Sequence, residues 1–489
     1  MISYLVRSHL YIPYSEFTPK MKKRLTIINP DIKRYHMMGV EAPEGVTETY
    51  RLYKADDNKK FVRIPKFALG SLKELAKTNK VIMDNPDIEI DIQLKWDFQY
   101  NDSQNKTLAD ACTMLLDEYG AVIVADPGEG KTLMAIGIIC FIKRKTLILV
   151  HKDFLVNQWR DALLKHTNLK KEEIGLIKAG KFKDGKVVIG TQQSLMRGTV
   201  ISSEVNKLFS FKIQDETHRI GATMFLRSYT RFNTKYCLGL SATPDREDGL
   251  EELYFLHTSN NLIMHSASRN IKASYYRLVY ASGKSWIGYH SYMPYRIQVL
   301  KNLLADETRN NMIMKVIVIC MSQNRKVLLI GEYVKKLFEF MHHLQQQFPN
   351  YKVVRFFGNP ALTKKDRREG VSYEKYKDPN AEELLAANII VATYKKAMEG
   401  IDIPNLDTVV GLTPLASKVG LKQVIGRAER KYDGKKSPLV IDVVDTNNNW
   451  CINLANKRSR LYEEWGMHMY DGKEFDDLSN KSYFLTTND

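Results

Sequence analysis

A chain of 489 residues with 44% hydrophobic and 26% charged residues has the balance of a globular protein, which excludes a disordered or collagen-like chain. At roughly 150 residues per domain it is too long for one core and should hold about three. The net charge of +17 favours a polyanionic partner, most often nucleic acid, through counterion release, although a basic protein with no special partner carries the same sum. Cys112, Cys140, Cys237, Cys320 and Cys451 are scattered, which argues against a zinc site or disulfide framework and for buried thiols in a reducing compartment. No uninterrupted apolar run is long enough to span a bilayer, and the start, MISYLVRSHLYIPYSEF, lacks the features of a signal peptide. The expectation is a soluble, cytoplasmic monomer with no membrane partner.

In chain order, residues 1–95 read as a small mixed domain. Residues 50–54 and 61–64 alternate around an Asp-Asp-Asn turn, a hairpin signal, and residues 71–80 suggest a helix capped by Ser71. Lys20, Lys22, Lys23 and Arg24 form a basic run preceded by Tyr4, Tyr11, Tyr14 and Phe17. That mixture suits branched or single-stranded DNA, and equally a tyrosine core beside a solvated charge run. From about Gln104, apolar strands alternate with amphipathic helices, the mark of a parallel sheet. Strands are predicted at 121–125, 146–150, 187–190 and 236–240, with a further candidate at 274–280. A second alternating block follows, with helices at 308–321 and 333–347. Its strands are predicted at 326–330, 352–356, 388–392, 408–412 and 439–444.

The chemistry concentrates in four places. Ala125, Asp126, Pro127, Gly128, Glu129, Gly130, Lys131 and Thr132 stand between a predicted strand and a helix, the context a phosphate-binding loop requires. Gly128 and Gly130 let backbone N–H groups turn inward, and the helix N-terminus adds its positive dipole end. Lys131 can neutralise phosphate oxygens, and Thr132 can ligate Mg2+. Asp215 and Glu216, with Thr217 and His218, follow the apolar run 211–214. Such a pair can divide two tasks: Asp215 holds Mg2+, often through water, and Glu216 deprotonates the attacking water. Ser241, Ala242 and Thr243 follow the strand at 236–240 and can hydrogen-bond the acidic pair. Gln423, Arg427 and Arg430 lie in the second block, where Arg427 and Arg430 are three apart and share a face if helical. Guanidinium groups suit the charge that develops in phosphoryl transfer, although Lys422, Arg427 and Arg430 could equally be a solvated basic face.

The order of these motifs resembles the superfamily two helicases. Ala125 in first place is that superfamily's form of the phosphate loop, residues 215–218 look like its DEAD/DEAH-type box, and residues 241–243 are similar to its third motif. Residues 388–403 (NIIVATYKKAMEGIDI) look like the fifth motif and residues 423–430 (QVIGRAER) the sixth. Residues 149–159 (LVHKDFLVNQW), 188–195 (VIGTQQSL) and 239–249 (GLSATPDREDG) resemble the XPB-like branch, and within it the UvsW-type helicases of phages and large DNA viruses. Arg246, Glu247 and Asp248 match that branch's Arg-Glu-Asp motif, a tripeptide that reads as readily as a charged loop. His151 and Lys152 depart from the Pro-Thr common in motif Ia.

The resemblance implies an α/β protein with two tandem RecA-like lobes containing parallel sheets and a small N-terminal α+β accessory domain. The expected divisions are 1–95, 96–265 for an ATP-binding lobe, 266–475 for the second lobe and a tail at 476–489. It implies ATP and Mg2+ as cofactors and DNA, less readily RNA, as partner. Gln104 would read adenine, while Gly400 and Asp402 would lie near the nucleotide. The catalytic set would be Lys131, Asp215, Glu216, Gln423, Arg427 and Arg430. His151, Thr191, Gln192, Arg246 and Thr393 would contact nucleic acid, mostly at phosphates. The expected function is an ATP-dependent DNA helicase or translocase of recombination, repair or fork rescue, acting in the host cytoplasm if viral. An RNA helicase or transcript-release factor is the alternative. A DNA-binding protein using ATP only as a conformational switch is another, opposed by the retention of Glu216 and Arg427.

Overall fold

The computed structural model describes residues 3–470, apart from 30–31, 33–40, 42–46, 96–97, 127, 179, 197–203, 218–228, 243–249, 266–271, 282–294, 363–367, 371, 374, 400–402, 416 and 431. The chain divides into two units, Met1–Ala267 and Ser268–Asp489.

The first unit begins with a five-stranded sheet in the order Lys54–Ala55, Phe61–Pro65, His9–Pro13, Ser3–Val6, Lys80–Met83. Only the last pairing is parallel. Alternation puts Val6, Leu10, Ile12, Val62 and Ile64 on a fully buried face, as period-two strands require. That face does not close on itself. It packs with Phe67 and Leu72 against Cys237 and Leu256 from the larger part of the unit, so the two parts share a core. The predicted strand at 50–54 is divided between two partners. Thr49–Arg51 pairs with Thr26–Ile28, and only Lys54–Ala55 pairs with Phe61–Pro65. The reason is local: the Leu52 N–H donates to Leu25 O, drawing the chain to the other partner before the hairpin begins. Ser71 caps Leu72–Thr78, accepting from the Glu74 N–H. Tyr4 is buried in this core, whereas Lys20, Lys22, Lys23 and Arg24 are exposed on the helix Pro19–Arg24.

The larger sheet of the first unit has eight strands. Their order is Lys181–Lys183, Ile174–Lys178, Val187–Thr191, Thr146–Val150, Phe211–Gln214, Tyr236–Ser241, Gly120–Val124, Leu262–Met264. All neighbours are parallel except the first pair. Helices cover both faces of such a sheet, so its central strands read as unbroken apolar runs rather than alternation. The four strands from Val187–Thr191 to Tyr236–Ser241 and Gly120–Val124 beside them are buried at every position. Parallel pairing also brings every carboxyl end of these strands to one edge, the edge at which open α/β sheets bind ligands.

The second unit repeats the principle with seven strands, all parallel. Their order is Val353–Phe356, Ile389–Thr393, Val327–Gly331, Thr408–Gly411, Leu439–Asp445, Ser274–Tyr280, His468–Tyr470. Two buried ion pairs tie helices to it. Arg309 donates to Asp445 at 2.6 and 3.0 Å and to Leu412 O, and Arg458 donates to Asp442 at 2.6 Å. All five cysteines are free and buried. Among the described residues no helix is long and apolar enough to cross a membrane.

Gly120 marks where the five-stranded and eight-stranded parts of the first unit meet. A Cβ there would lie 2.6 Å from Thr258 O and 2.7 Å from the Phe67 ring. Gly120→Ala should therefore destabilise the first unit by about 2 kcal/mol, the usual scale of overpacking. Chemical denaturation should show a lower midpoint with the slope retained; an unchanged midpoint would contradict this packing.

Candidate nucleotide-binding site

The carboxyl edge of the eight-stranded sheet carries the loop and acidic-box residues side by side. Ala125 follows the strand Gly120–Val124, and its N–H donates to Ser241 O at 3.0 Å, closing the gap to the neighbouring strand. Asp215 ends the next strand but one, and its N–H donates to Leu149 O at 3.0 Å. Sheet order alone therefore places the phosphate-loop sequence, Ser241 and the acidic pair within three adjacent strands.

Gly128 and Gly130 take φ values of +92° and +82°, a region open to glycine at little cost. Gly130 caps the helix Lys131–Ile142, so the first N–H groups of that helix face the loop. Those N–H groups have no intrahelical partners and suit an anion. Lys131 turns back over the loop, donating to Ala125 O at 2.7 Å and Asp126 O at 3.2 Å.

Gln104 reaches the loop from the helix Asp102–Glu118. Its Nε2 donates to Glu129 O at 3.2 Å, and its Oε1 accepts from the Asn101 N–H in a capping box. A primary amide retains one further N–H and one lone pair, which is what adenine recognition would use.

Asp215 is half-buried, and desolvation together with the adjacent Glu216 pushes its carboxyl up to about 6. The indole of Trp159 opposes that rise by donating to Asp215 Oδ2 at 3.0 Å, and Lys131 opposes it through its charge. Glu216 has φ +53°, a strained conformation for a residue with a Cβ. Thr217, fully buried, clamps the turn by donating to Gln214 O and Leu240 O at 3.0 and 3.1 Å.

These groups fit a magnesium nucleotide. The loop offers backbone N–H donors and a lysine to phosphate oxygens, and a half-buried carboxylate nearby favours a hard cation. Among the described residues no three His, Cys, Asp or Glu side chains could hold a metal by themselves. Mg2+ is ordinarily completed by phosphate and water around one or two protein ligands, and Thr132 and Asp215 are of the right chemical type.

The other sequence-derived candidates are placed less simply. Thr191 and Gln192 are buried, as is His151. The Thr191 hydroxyl bonds Ser194 at 2.6 Å, and Gln192 Nε2 donates to Gln214 Oε1 at 2.8 Å. Gln214 Nε2 in turn donates to Asp215 O at 2.7 Å, so Gln192 is a strut to the acidic box, not a surface contact. Thr393 ends a strand of the second unit, where its hydroxyl accepts from the Lys396 N–H. Gln423 is buried in the helix Lys418–Ala428 and Arg427 donates to Met398 O at 2.7 Å. Arg430 does not share that helix face, because the helix stops at Ala428. Lys435 holds the chain beyond it in a bend, donating to Arg430 O at 2.7 Å. Pro127, His218, Thr243, Arg246, Glu247, Asp248, Gly400 and Asp402 lie outside the described residues.

Trp159 was not evident as a site residue from sequence. Its only signal is a tryptophan on the buried helix face with Val156 and Leu163, where the indole N–H needs an acceptor. His265 was missed too. Its Nδ1 lies 2.7 Å from the Thr107 hydroxyl and its Nε2 3.7 Å from the Glu129 carboxylate, under the loop.

The fold and this edge define a nucleotide-binding α/β protein. Residues 97–246 match the family described as "Type III restriction enzyme, res subunit", and residues 299–432 match "Helicase conserved C-terminal domain". The chain belongs to the superfamily 2 helicases, ATP-hydrolysing enzymes built from these two domains. It is 29% identical over 357 residues to "Putative ATP-dependent RNA helicase L396" of Acanthamoeba polyphaga mimivirus, covering 71% of this chain and 64% of that protein. It is 26% identical over 392 residues to "DNA 3'-5' translocase XPB2" of Sulfurisphaera tokodaii, covering 72% and 83%. The match thus spans less than two thirds of the mimivirus relative.

Trp159→Phe keeps the ring and removes the N–H donor to Asp215. Outer-shell losses of this kind cost roughly 10–100-fold. ATP turnover should fall by about tenfold at unchanged thermal stability; turnover equal to wild type would show that the indole does not position the carboxylate.

Proposed function

We propose that this helicase is an ATP-driven DNA motor that unwinds, anneals or migrates DNA branches in recombination, repair or fork rescue. The observation that carries the reading is the single sheet edge on which the glycine loop, Lys131 and the half-buried Asp215–Glu216 pair stand together. In this reading Lys131 and Thr132 take the phosphates and Mg2+, Asp215 holds the metal through water, and Glu216 orients the attacking water. Gln423, Arg427 and Arg430 serve the developing phosphate charge, with Gly400 and Asp402 near the nucleotide and Gln104 reading adenine. The chain's net charge of +17 supports a nucleic-acid track. His151, Thr191, Gln192, Arg246 and Thr393 mark the segments that follow it. With the Thr191 and Gln192 side chains turned inward, contact there falls to backbone N–H groups and is insensitive to sequence.

DNA as the track is supported by the XPB2 relative, whose name states a DNA translocase. The mimivirus relative's name states an RNA helicase, which supports the RNA reading.

Glu216→Gln should retain ATP binding and lose turnover, whereas Lys131→Ala should lose both, as measured by nucleotide titration and phosphate release. Full turnover in either variant would remove the assigned chemistry. The function itself is tested with forks, four-way junctions, duplexes and RNA duplexes of equal length, scored for ATP-dependent strand separation. Branched DNA should be the best substrate. Preference for RNA would replace the DNA reading with the RNA one.

A further inference from the structure

The second unit carries a groove that none of the helicase motifs uses. It runs along the free edge of the seven-stranded sheet, against Val353–Phe356 and the helix Val334–Gln347, and has a volume of about 540 Å3. Its wall is aromatic. Phe338 and Tyr373 meet edge to face at 5.4 Å, and the Arg355 guanidinium lies 5.3 Å from the Phe338 ring centre and 4.5 Å from that of Tyr376. Asn359 Oδ1 accepts from Arg355 at 2.9 Å, so the guanidinium is held in place by rings and an amide rather than by a carboxylate. Lys352, Lys375 and Lys377 stand exposed around the groove. None of these four cations forms an ion pair among the described residues. Glu383 is the one carboxylate in the lining among the described residues, and the neighbouring Asp378 is engaged by Lys396 at 2.6 Å. That ion pair joins the groove to the segment after Thr393, a candidate strand contact.

We propose that this groove is a second nucleic-acid site that takes a single strand, with a base against the Phe338–Tyr373 wall and phosphates on Lys352, Lys375 and Lys377. The proposal rests on the reading of the protein as a nucleic-acid motor. A single strand fits where a duplex does not, because aromatic walls bind exposed base faces and a duplex keeps those faces stacked. Cations around the rim that form no ion pair among the described residues supply the charge that a phosphate backbone neutralises with release of counterions. The site would hold a strand at the outer edge of the second unit, away from the Arg427 helix in sheet order.

The test is fluorescence anisotropy of a labelled oligo-dT across a range of NaCl, without nucleotide, using wild type, Lys375→Glu/Lys377→Glu, Tyr373→Ala and Tyr373→Phe. The charge variant should bind about tenfold or more weakly, with a salt slope reduced by about 1.4 for two phosphates. Tyr373→Ala should weaken binding by about tenfold and Tyr373→Phe should restore it, because the ring rather than the hydroxyl stacks. Maximal ATP turnover at saturating oligonucleotide should be unchanged in the charge variant. Wild-type affinity and slope in that variant would overturn the groove and leave the motor reading standing. Displacement of oligo-dT by polyglutamate as readily as by unlabelled oligo-dT would also overturn it, in favour of an acidic polypeptide. A wild type that binds no oligonucleotide would overturn the groove and the motor together.

Discussion

Everything at the candidate site depends on a half-buried carboxylate placed beside a lysine-bearing loop by parallel strand pairing. Asp215 is partly removed from water, and that desolvation and its acidic neighbour together raise its carboxyl to about 6. Such a group is costly unless something positive approaches it. The indole of Trp159 and the charge of Lys131 compensate only in part, and a divalent cation carried in by a nucleotide would supply the remainder. The protein thus stores an electrostatic demand that its substrate satisfies, which is how a site can be preformed yet responsive.

Rigidity around that carboxylate comes from hydrogen bonds that run across the strand ends. Ala125 bonds to Ser241, Asp215 to Leu149, and Thr217 to both Gln214 and Leu240. Gly239 fits beneath Thr217, where a Cβ would lie 2.6 Å from its hydroxyl. Gln192 extends the network through Gln214 to the next strand but one. Any shift at the strand carrying Thr191 and Gln192 is therefore felt at the acidic box without a long lever.

The sequence made the sheets legible because their central strands are buried on both faces. Runs such as 146–150 and 236–240 have no polar face to mislead the reading, and their observed bounds fall within a residue or two of expectation. The phosphate loop was legible because its chemistry is contiguous: glycines, lysine and threonine stand in a row. The strand at 50–54 was not, because Leu52 changes partner midway and alternation carries no record of which partner is chosen. Nor was the end of the Arg427 helix, since the glycine within residues 423–430, Gly426, lies inside the helix and does not end it, and the bend at Arg430 is set by Lys435 farther along the chain. Trp159 and His265 were invisible for a related reason: each acts on a residue more than fifty positions away, through contacts that only the fold creates.

In the proposed reading, ATP hydrolysis on this sheet edge is coupled to a nucleic-acid track. It is tested most directly by steady-state phosphate release at saturating ATP and Mg2+, measured with and without single-stranded DNA. Release should be slow for the protein alone and should rise markedly with DNA, in a way that saturates with DNA and weakens with salt. A rate that is the same with and without nucleic acid would contradict it.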